Sequence, residues 1–164
     1  MTAAFRIVAA DFSTPNAQAL VKALDDYLAQ QYSDYEPNRY GLRAGELTAP
    51  GSGFWLAYCR DRAIGCVALR PFTSTVVELK RLYVQPEFRR QGVGSALLRT
   101  AEAAAIAHGY LRIWLETGDA QPDSIRLYLQ RGFQAIPCFG SYDDPASCCY
   151  EKRLPVSPAS LSDK

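Results

Sequence analysis

The chain has 164 residues, of which 48% are hydrophobic and 21% are charged. This length allows one domain with a substantial core, and the composition is that of a soluble globular protein. Eighteen basic and seventeen acidic residues leave a formal net charge of +1, which excludes an overall field that would attract nucleic acid or a membrane surface. Any anion-binding site must therefore be local.

The cysteine and histidine content argues against a metal site. The five cysteines have no CxxC spacing, the only histidine is His108, and no HExxH pattern occurs. We therefore predict no metal, and we expect the cysteines to be small, buried, reduced side chains in a reducing cytosol. The N-terminal stretch MTAAFRIVAADFS is too short and too soon charged for a signal peptide or a membrane span, which also favours a cytoplasmic protein.

The first half of the chain predicts a strand, a helix and a hairpin. Residues 5–10 predict the strand, and residues 13–32 predict a helix that begins with a Ser/Thr cap and a proline. Residues 33–53 are rich in Tyr, Pro and Gly and predict mostly loop. The apolar runs 54–59 and 63–72 are separated by three residues, which favours an antiparallel hairpin.

The middle of the chain predicts a right-handed crossover unit. Residues 74–84 predict a strand that ends before a proline, and residues 91–108 predict a helix that stops at a glycine. Residues 110–116 predict the next strand. A strand, a helix and a second strand in this order favour a parallel pair joined across one face of a sheet.

The last part of the chain predicts one helix and two strands. Residues 122–132 predict a helix, and residues 133–137 and 147–154 predict two strands. Hairpins and crossover helices together imply one mixed sheet with helices on its faces. We predict a single domain over residues 1–155, followed by a Pro/Ser-rich disordered tail over residues 156–164.

One strand-to-helix junction, RRQGVGS at residues 89–95, has the composition of an anion site. Gly92 and Gly94 let the backbone turn sharply and approach a ligand closely. The first turn of the following helix offers unpaired N–H groups and the positive end of the helix dipole. Arg89 and Arg90 add charge and donors, so the junction predicts a pyrophosphate cradle.

Two common phosphate-binding patterns do not fit this junction. The P-loop pattern needs a lysine before the serine, but Ser95 follows Gly94 directly. The dinucleotide fingerprint needs a third small residue where Leu97 stands. A purely structural turn with glycines and exposed arginines stays open as the alternative.

The junction resembles a family signature. RRQGVG, preceded by ELKRLYVQPEF, matches the R/Q-x-x-G-x-G/A motif of the GNAT superfamily of acyl-CoA-dependent N-acyltransferases. SIRLYLQRGF is similar to a second block of that family, A-x-x-L-Y-x-x-x-G-F, and the element order is also the family's. The resemblance covers most of residues 5–154. It implies the GNAT fold, an α/β (α+β) architecture with a mixed, mostly antiparallel seven-stranded sheet, helices on both faces, and a splay at the acetyl-CoA site.

The resemblance implies acetyl-CoA as co-substrate, and it implies which residues bind it. The backbone of Leu82, Tyr83 and Val84 would pair with the pantetheine arm. Gln121 stands where the family commonly has an asparagine, seven residues before the motif tyrosine. The pyrophosphate would lie on the N–H groups of the junction: Arg89, Arg90, Gln91, Gly92, Val93, Gly94 and Ser95.

The resemblance also implies a general acid, Tyr128. A phenol with a reference pKa of about 10 stays neutral at pH 7 and can donate a hydrogen bond or a proton to the leaving thiolate. The structural alternative is a core tyrosine that packs its helix on the sheet.

The general base is left open between Glu78, Glu116 and water. Glu78 lies 14 residues before Gly92, the spacing of the strand glutamate in the histone-acetylating branch of the family. Burial would raise the pKa of Glu78, and Lys80 on the same strand face would lower it. The structural alternative is an ion pair of Glu78 with Lys80 or Arg81.

The acceptor is the least constrained part of the prediction. The family builds its acceptor pocket from the loop after the first helix, the end of strand 63–72 and the last hairpin. This places Tyr35, Arg39, Phe72 and Tyr142 as candidate substrate-binding residues. Aromatic rings and carboxylates suit a small amine, whereas Arg39 and Arg70 would suit an acceptor that also carries a carboxylate.

We therefore predict an N-acetyltransferase that moves an acetyl group from acetyl-CoA to a small amine or an amino acid by direct attack. Two alternatives stay open, namely a non-catalytic acyl-CoA-binding module and an acetyltransferase of protein lysines or N-termini. The expected partner is a small-molecule acceptor, with no nucleic acid or membrane, and the resemblance allows a homodimer.

Overall fold

The computed structural model describes residues 3–37 and 39–158, which form one seven-stranded sheet and three α-helices. Two short 3₁₀ helices, Ala44–Leu47 and Pro86–Phe88, lie in the connections. The predicted GNAT element order is confirmed, and residues 159–164 of the predicted disordered tail lie outside the described residues. The elements in chain order are β1 (Arg6–Ala9), α1 (Pro15–Gln31), β2 (Gly53–Cys59), β3 (Arg62–Pro71), β4 (Val76–Val84), α2 (Val93–Ala107), β5 (Arg112–Gly118), α3 (Pro122–Gln130), β6 (Gln134–Ile136) and β7 (Ser147–Arg153).

The sheet has the strand order β1-β2-β3-β4-β5-β7-β6. The neighbours β4 and β5 are parallel, and all other neighbours are antiparallel. Parallel strands need a crossover connection, which α2 supplies. The predicted mixed, mostly antiparallel sheet is confirmed.

Helices cover both faces of the sheet, as predicted. On one face, Leu97 and Ala101 of α2 pack on Val77 of β4, and α3 joins the same core. On the other face, Leu20 of α1 packs in a second cluster with Tyr83 of β4. None of the helices within residues 3–37 and 39–158 is long and apolar enough to cross a membrane.

A β-bulge interrupts β4. Cys66 of β3 pairs with Tyr83 and Ala68 pairs with Lys80, so a step of two residues on β3 faces a step of three on β4. Within this step Arg81 has a φ of 58°, in the left-handed region. An extra residue of this kind changes which side chains face each side of the sheet.

The bulge places two successive basic side chains on the α1 side of the sheet. Leu79 packs in the core under α2, and Leu82, three residues later, packs against the same core. Between them, Lys80 bonds to the carbonyl oxygen of Tyr40 and Arg81 bonds to Asp25 of α1. Strict alternation would have turned one of these two charges into the apolar core.

The parallel pair β4–β5 separates beyond its middle. The last paired residues are Leu79 and Leu115, although β4 continues to Val84 and β5 to Gly118. We call the opening between residues 80–84 and 116–118 the fork. The fork is the splay that the family resemblance implied.

The expectation of buried, reduced cysteines is confirmed only for Cys66. Cys138 and Cys149 form a disulfide bond with their Cα atoms 5.1 Å apart, and Cys59 and Cys148 are only half-buried. The antiparallel pairing of β6 with β7 places Ile136 opposite Cys149, which brings Cys138 beside it. No short sequence spacing signals this contact, because it is made by the hairpin.

The bulge is tied to α1 by a buried ion pair. Arg81 is 10% exposed, and its Nη1 lies 2.7 Å from Oδ1 of Asp25. The Tyr35 hydroxyl donates to the same oxygen at 2.6 Å, and burial raises the pKa of Tyr35 to about 12, so this donor keeps its proton. The loop after α1, α1 itself and the bulge are thereby joined through one carboxylate.

We predict that Asp25→Ala lowers the free energy of unfolding by about 2–4 kcal/mol, because it leaves the Arg81 guanidinium buried without its counter-charge. Asp26→Ala is the matched control, since Asp26 is 60% exposed and pairs only with exposed Lys22. Both substitutions change helix propensity equally, so the difference between their free energies of unfolding in urea reports the contribution of the buried ion pair. Equal losses for the two variants would contradict the prediction.

Candidate active site

A cavity of about 200 Å³ opens in the fork. It lies between β4 and β5, and its walls include α1, residues 34–37 and 39–40 of the following loop, α3 and the loop before β7. Its floor and sides include residues from both separated strands and from α3. Those most relevant to chemistry are Lys80, Arg81, Leu82, Glu116, Gln121 and Tyr128.

The start of α2 has the geometry of the predicted cradle. Gly92 is the N-cap with a φ of 87°, and no atom lies within 4 Å of the position a Cβ would take. The first helical hydrogen bond runs from the Ala96 N–H to the Gly92 carbonyl oxygen at 3.0 Å, and no side chain caps the helix. The N–H groups of Val93, Gly94 and Ser95 therefore precede the internally bonded turn.

Gly94 has a packing reason that the sequence did not reveal. A Cβ at this position would lie 3.3 Å from Cδ2 of Leu127 and 3.8 Å from Cγ2 of Val84. The glycine thus lets α2 approach α3 and the end of β4 closely. Of the two motif glycines, only Gly92 requires the left-handed backbone.

The two motif arginines differ. The Arg89 side chain folds back, with Nε donating to the Val84 carbonyl oxygen at 2.9 Å. Its guanidinium carbon lies 4.8 Å from the ring centre of Tyr27 and 5.6 Å from that of Tyr83. Arg90 is exposed, with a φ of 60°. Arg89 therefore braces the junction against β4 and α1, and Arg90 presents its charge at the surface.

The Gln91 side chain braces the same junction. Its Nε2 donates to the Glu87 carbonyl oxygen at 3.1 Å, and its Oε1 accepts from the Ala3 N–H at 3.2 Å. The amide is thus used within the protein, and the turn before α2 is held in shape by its own side chains.

Tyr128 is both a core residue and part of the cavity lining. It is buried in the core of α3 and the sheet, with its ring centre 5.6 Å from that of Phe133, and it also lines the cavity. Burial, and then the negative charge of Glu116, raise the pKa of Tyr128, so the phenol stays neutral. Its hydroxyl has no hydrogen-bond partner among the described residues.

Gln121 is the N-cap residue of α3 and is 7% exposed. Its Nε2 is buried with no partner at normal hydrogen-bond distance, although the amide interacts weakly with the Tyr32 hydroxyl, and the side chain lines the cavity. An unpaired buried donor costs about 1–3 kcal/mol, so such a group usually has a partner. A ligand acceptor in the cavity would supply one.

Glu78 and Glu116 occupy different environments. Glu78 is 1% exposed and lies outside the cavity lining, with Oε1 3.1 Å from Nε of Arg70. The Tyr142 hydroxyl donates to its other oxygen. The ion-pair partner is therefore Arg70, directly opposite on β3, rather than the predicted Lys80 or Arg81. Cross-strand register, which the sequence did not specify, selects it.

Glu116 lines the cavity at the fork. Burial raises the pKa of Glu116 to about 7, although the positive charge of Lys80 opposes this rise. A carboxylate with this pKa is partly deprotonated at neutral pH and can accept a proton there. Within the described residues no group of three or more His, Cys, Asp or Glu side chains could hold a metal ion.

Comparison with known proteins identifies the family. The sequence profile of the Acetyltransferase (GNAT) family matches residues 17–133. The chain belongs to the GNAT acetyltransferase family. It is 35% identical to the IAA acetyltransferase of Azospirillum brasilense over 137 residues, which cover 82% of this chain and 88% of that protein. It is 36% identical to human N-acetyltransferase 8 over 93 residues, which cover 54% of this chain and only 41% of that protein.

Solved structures share the fold over nearly the whole chain. A Klebsiella pneumoniae protein assigned to the acyl-CoA N-acyltransferases has a TM-score of 0.77 and 28% identity, covering 92% of this chain and 97% of that one. PaiA N-acetyltransferase of Thermoplasma acidophilum, solved in complex with coenzyme A, has a TM-score of 0.70 and 20% identity, covering 91% and 99%. The second likeness shows the fold alone.

Three of the four acceptor residues predicted for this GNAT domain line the cavity, namely Tyr35, Arg39 and Tyr142. The Arg39 guanidinium is already paired, with Nη2 3.2 Å from Oδ1 of Asp143 and Nη1 3.3 Å from Oδ2 of Asp144. These contacts join the loop after α1 to the loop before β7 across the cavity.

Phe72, the fourth predicted acceptor residue, lies outside the cavity lining. It is 41% exposed and packs on Trp114 and Phe139, with ring centres 5.4 and 5.3 Å away. The three rings form an aromatic cluster that adjoins the cavity wall, because the Phe139 ring centre lies 5.2 Å from that of Tyr142.

Lys80 was not predicted as a site residue, but it lies in the cavity wall. It is 9% exposed and lines the cavity, and its Nζ donates to the Tyr40 carbonyl oxygen and to the Tyr142 hydroxyl oxygen, both at 2.8 Å. Burial lowers the pKa of Lys80 to about 8, although nearby Glu78 opposes this. The bulge that holds Lys80 on the α1 side was not visible in the sequence.

We predict that Tyr142→Phe lowers the free energy of unfolding by about 1–3 kcal/mol, because it removes a donor from buried Glu78 and an acceptor from Lys80. The matched control is Tyr40→Phe. The Tyr40 ring packs on Tyr142 with centres 4.8 Å apart, but its hydroxyl bonds only to exposed Asp143. Thermal unfolding should show a clearly lower Tm for Tyr142→Phe and little change in Tm for Tyr40→Phe. Equal effects would contradict the role of the buried hydroxyl.

Proposed function

We propose that this chain transfers an acetyl group from acetyl-CoA to a small amine or amino acid by direct attack, with Glu116 as general base and Tyr128 as hydrogen-bond donor to the leaving sulfur. The observation that carries the proposal is the fork, where a carboxylate with a pKa of about 7 and a neutral, unpartnered phenol line one cavity. Family membership and the names of the two relatives support acetyl transfer, but their acceptors are not carried over to this chain.

Coenzyme A fits the residues that would hold it. Beyond Leu79, β4 is no longer paired with β5, so its backbone from Leu82 onward is open to the pantetheine arm, except that the Val84 carbonyl oxygen already accepts from Nε of Arg89. The uncapped start of α2 offers N–H groups to the pyrophosphate, and the space beside Gly92 is open. Gln121 supplies the buried donor that lacks a partner. The coenzyme provides the activated thioester and its thiolate leaving group.

Two observations favour Glu116 over Glu78 as the base. Glu116 lines the cavity, whereas Glu78 is enclosed by Arg70 and Tyr142 and its two oxygens already accept hydrogen bonds. The raised pKa of Glu116 also matches a proton acceptor at neutral pH. In this proposal Glu116 takes the proton from the attacking amine, and Glu78 keeps the β3–β4 pair in register.

Tyr128 acts on the leaving sulfur. The ordinary pKa of a tyrosine, about 10, already exceeds that of a thiol, about 8.5, and burial raises it further, so complete proton transfer to the thiolate is unfavourable. A hydrogen bond from the hydroxyl still stabilises the negative charge that develops on sulfur. The absence of another partner for this hydroxyl among the described residues leaves it free to do so.

The proposed function predicts a pH-dependent rate. Free thiol release from acetyl-CoA with a panel of small amines should show kcat/KM rising through about pH 7, because Glu116 must lose its proton to act as the base. Glu116→Gln should lower kcat by about 10²-fold or more and remove this rise. Binding of coenzyme A without thiol release from any amine would indicate a non-catalytic acyl-CoA-binding module instead.

Glu78→Gln is the matched control for the base. It removes the same charge from a neighbouring strand, so it should lower stability by breaking the contact with Arg70 but keep the rise near pH 7. If Glu78→Gln abolished the rise while Glu116→Gln retained it, the base would be Glu78.

The cradle is tested by two glycines at opposite ends of α2. Gly92 has a φ of 87° and Gly109 a φ of 85°, and neither has atoms within 4 Å of an added Cβ. Alanine at either position should cost about 1 kcal/mol through backbone strain alone. Only Gly92→Ala shifts the N–H groups of residues 93–95, so it alone should weaken coenzyme A binding, by about 10-fold or more in calorimetry. Unchanged affinity in Gly92→Ala would place the pyrophosphate elsewhere.

A further inference from the structure

The fork contains a buried cation without a counter-ion. Lys80 is 9% exposed, and no carboxylate among the described residues lies at ion-pair distance from its Nζ. An ammonium has three donors, and two are used by the Tyr40 carbonyl and the Tyr142 hydroxyl. The third has no acceptor in the described part of the chain, and the side chain lines the cavity.

The other cations near the cavity are already paired. Arg81 pairs with Asp25, and Arg39 pairs with Asp143 and Asp144. Arg70, which the sequence analysis considered for an acceptor carboxylate, lies between Glu46 and Glu78 and does not line the cavity. Lys80 is thus the cavity cation that can accept an anionic group without first losing a partner.

Lys80 and Glu116 face each other across the base of the fork. Each is the residue directly after the last pair of the parallel ladder, Leu79 and Leu115. Leu79 and Leu115 both pack in the core under α2, so the next residue on each strand lies on the other side of the sheet. Neighbouring strands are about 4.8 Å apart where they still pair, and they widen from this point. An ammonium and a carboxylate are therefore presented side by side.

From this geometry, and on the basis of the function proposed above, we infer that the acceptor is an α-amino acid whose carboxylate binds Lys80 while its amine lies at Glu116. An α-amino acid carries its two groups on one carbon, the spacing that two facing residues on adjacent strands can span. It is also a zwitterion, so it adds no net charge to the buried cluster. The amine of a peptide N-terminus or a protein lysine has no carboxylate in this position.

The tyrosines beside Lys80 define where the rest of the acceptor lies. Tyr40 and Tyr142 contact the Lys80 ammonium, and Tyr35, Leu24 and Leu28 line the same cavity. This lining suits an apolar or aromatic side chain on the amino acid. Lys80 is in this view a residue that sets acceptor specificity and orientation.

The test uses matched trios of acceptors with wild-type protein and acetyl-CoA. Each trio contains an amino acid, its carboxamide and its decarboxylated amine, built on leucine, phenylalanine and methionine. The expected result is that kcat/KM for the amino acid exceeds that for both analogues by about 10- to 100-fold, the value of one hydrogen bond to a charged group. The amine of the carboxamide is less basic than that of the amino acid, so a larger fraction of it is neutral at pH 7. Intrinsic reactivity alone would therefore make the carboxamide the better acceptor.

Lys80→Met should reduce the ratio of kcat/KM for the amino acid to kcat/KM for the decarboxylated amine towards one. Lys80→Arg keeps the charge and should retain more of this ratio. Lys22→Met, on an exposed lysine of α1, is the matched control and should leave the ratio unchanged. Calorimetric binding of coenzyme A establishes that each variant is folded.

Three results would overturn the assignment of Lys80 to the acceptor carboxylate. Turnover of the decarboxylated amines or carboxamides at rates equal to or above those of the amino acids would overturn the role of Lys80 while leaving acetyl transfer intact. A wild-type preference for amino acids that persists in Lys80→Met would also overturn it. Release of thiol with no amine at all would overturn the proposed function, and the acceptor assignment with it.

Discussion

The separation of two parallel strands is the constraint on which the site depends. Beyond Leu79 and Leu115 the strands stop sharing hydrogen bonds, and the cavity exists because the backbone edges diverge there. The bulge at Arg81 accompanies this divergence by placing an extra residue in β4, and the ion pair with Asp25 ties the bulge to α1. An ordinary ladder would have closed the same space with main-chain hydrogen bonds.

Burial then sets the chemistry of the groups at the fork. Removal from water raises the pKa of Glu116 to about 7 and lowers the pKa of Lys80 to about 8, so both groups titrate near neutrality. The same cause keeps the Tyr128 phenol neutral. By contrast, Glu78 and Arg70 are neighbours on paired strands and satisfy each other. Glu78 and Arg70 thus neutralise each other on a closed ladder, whereas Glu116 and Lys80 lie where the ladder opens and form no ion pair among the described residues.

The acceptor side is held together by loops rather than by the sheet. Arg39 reaches from the loop after α1 to Asp143 and Asp144 in the loop before β7, and Tyr40 bonds to the same region. These contacts are solvent-exposed and individually weak, in contrast to the buried network around Lys80. Acceptor specificity is therefore best sought at the base of the fork, where a change of partner has a large energetic effect.

The sequence by itself determined the element order, the mixed sheet and the family, because these depend on local patterns. Alternating apolar runs, capping residues and the RRQGVGS junction act over a few neighbouring residues, and Gly92 has the left-handed backbone its position implied. Tertiary structure decided the rest. Strand register decides four features: Arg70 as the partner of Glu78, the bulge at Arg81, the disulfide bond of Cys138, and the position of Lys80 beside the unpaired edge of β4. Register is fixed by packing between distant segments, and no local spacing in the chain encodes it.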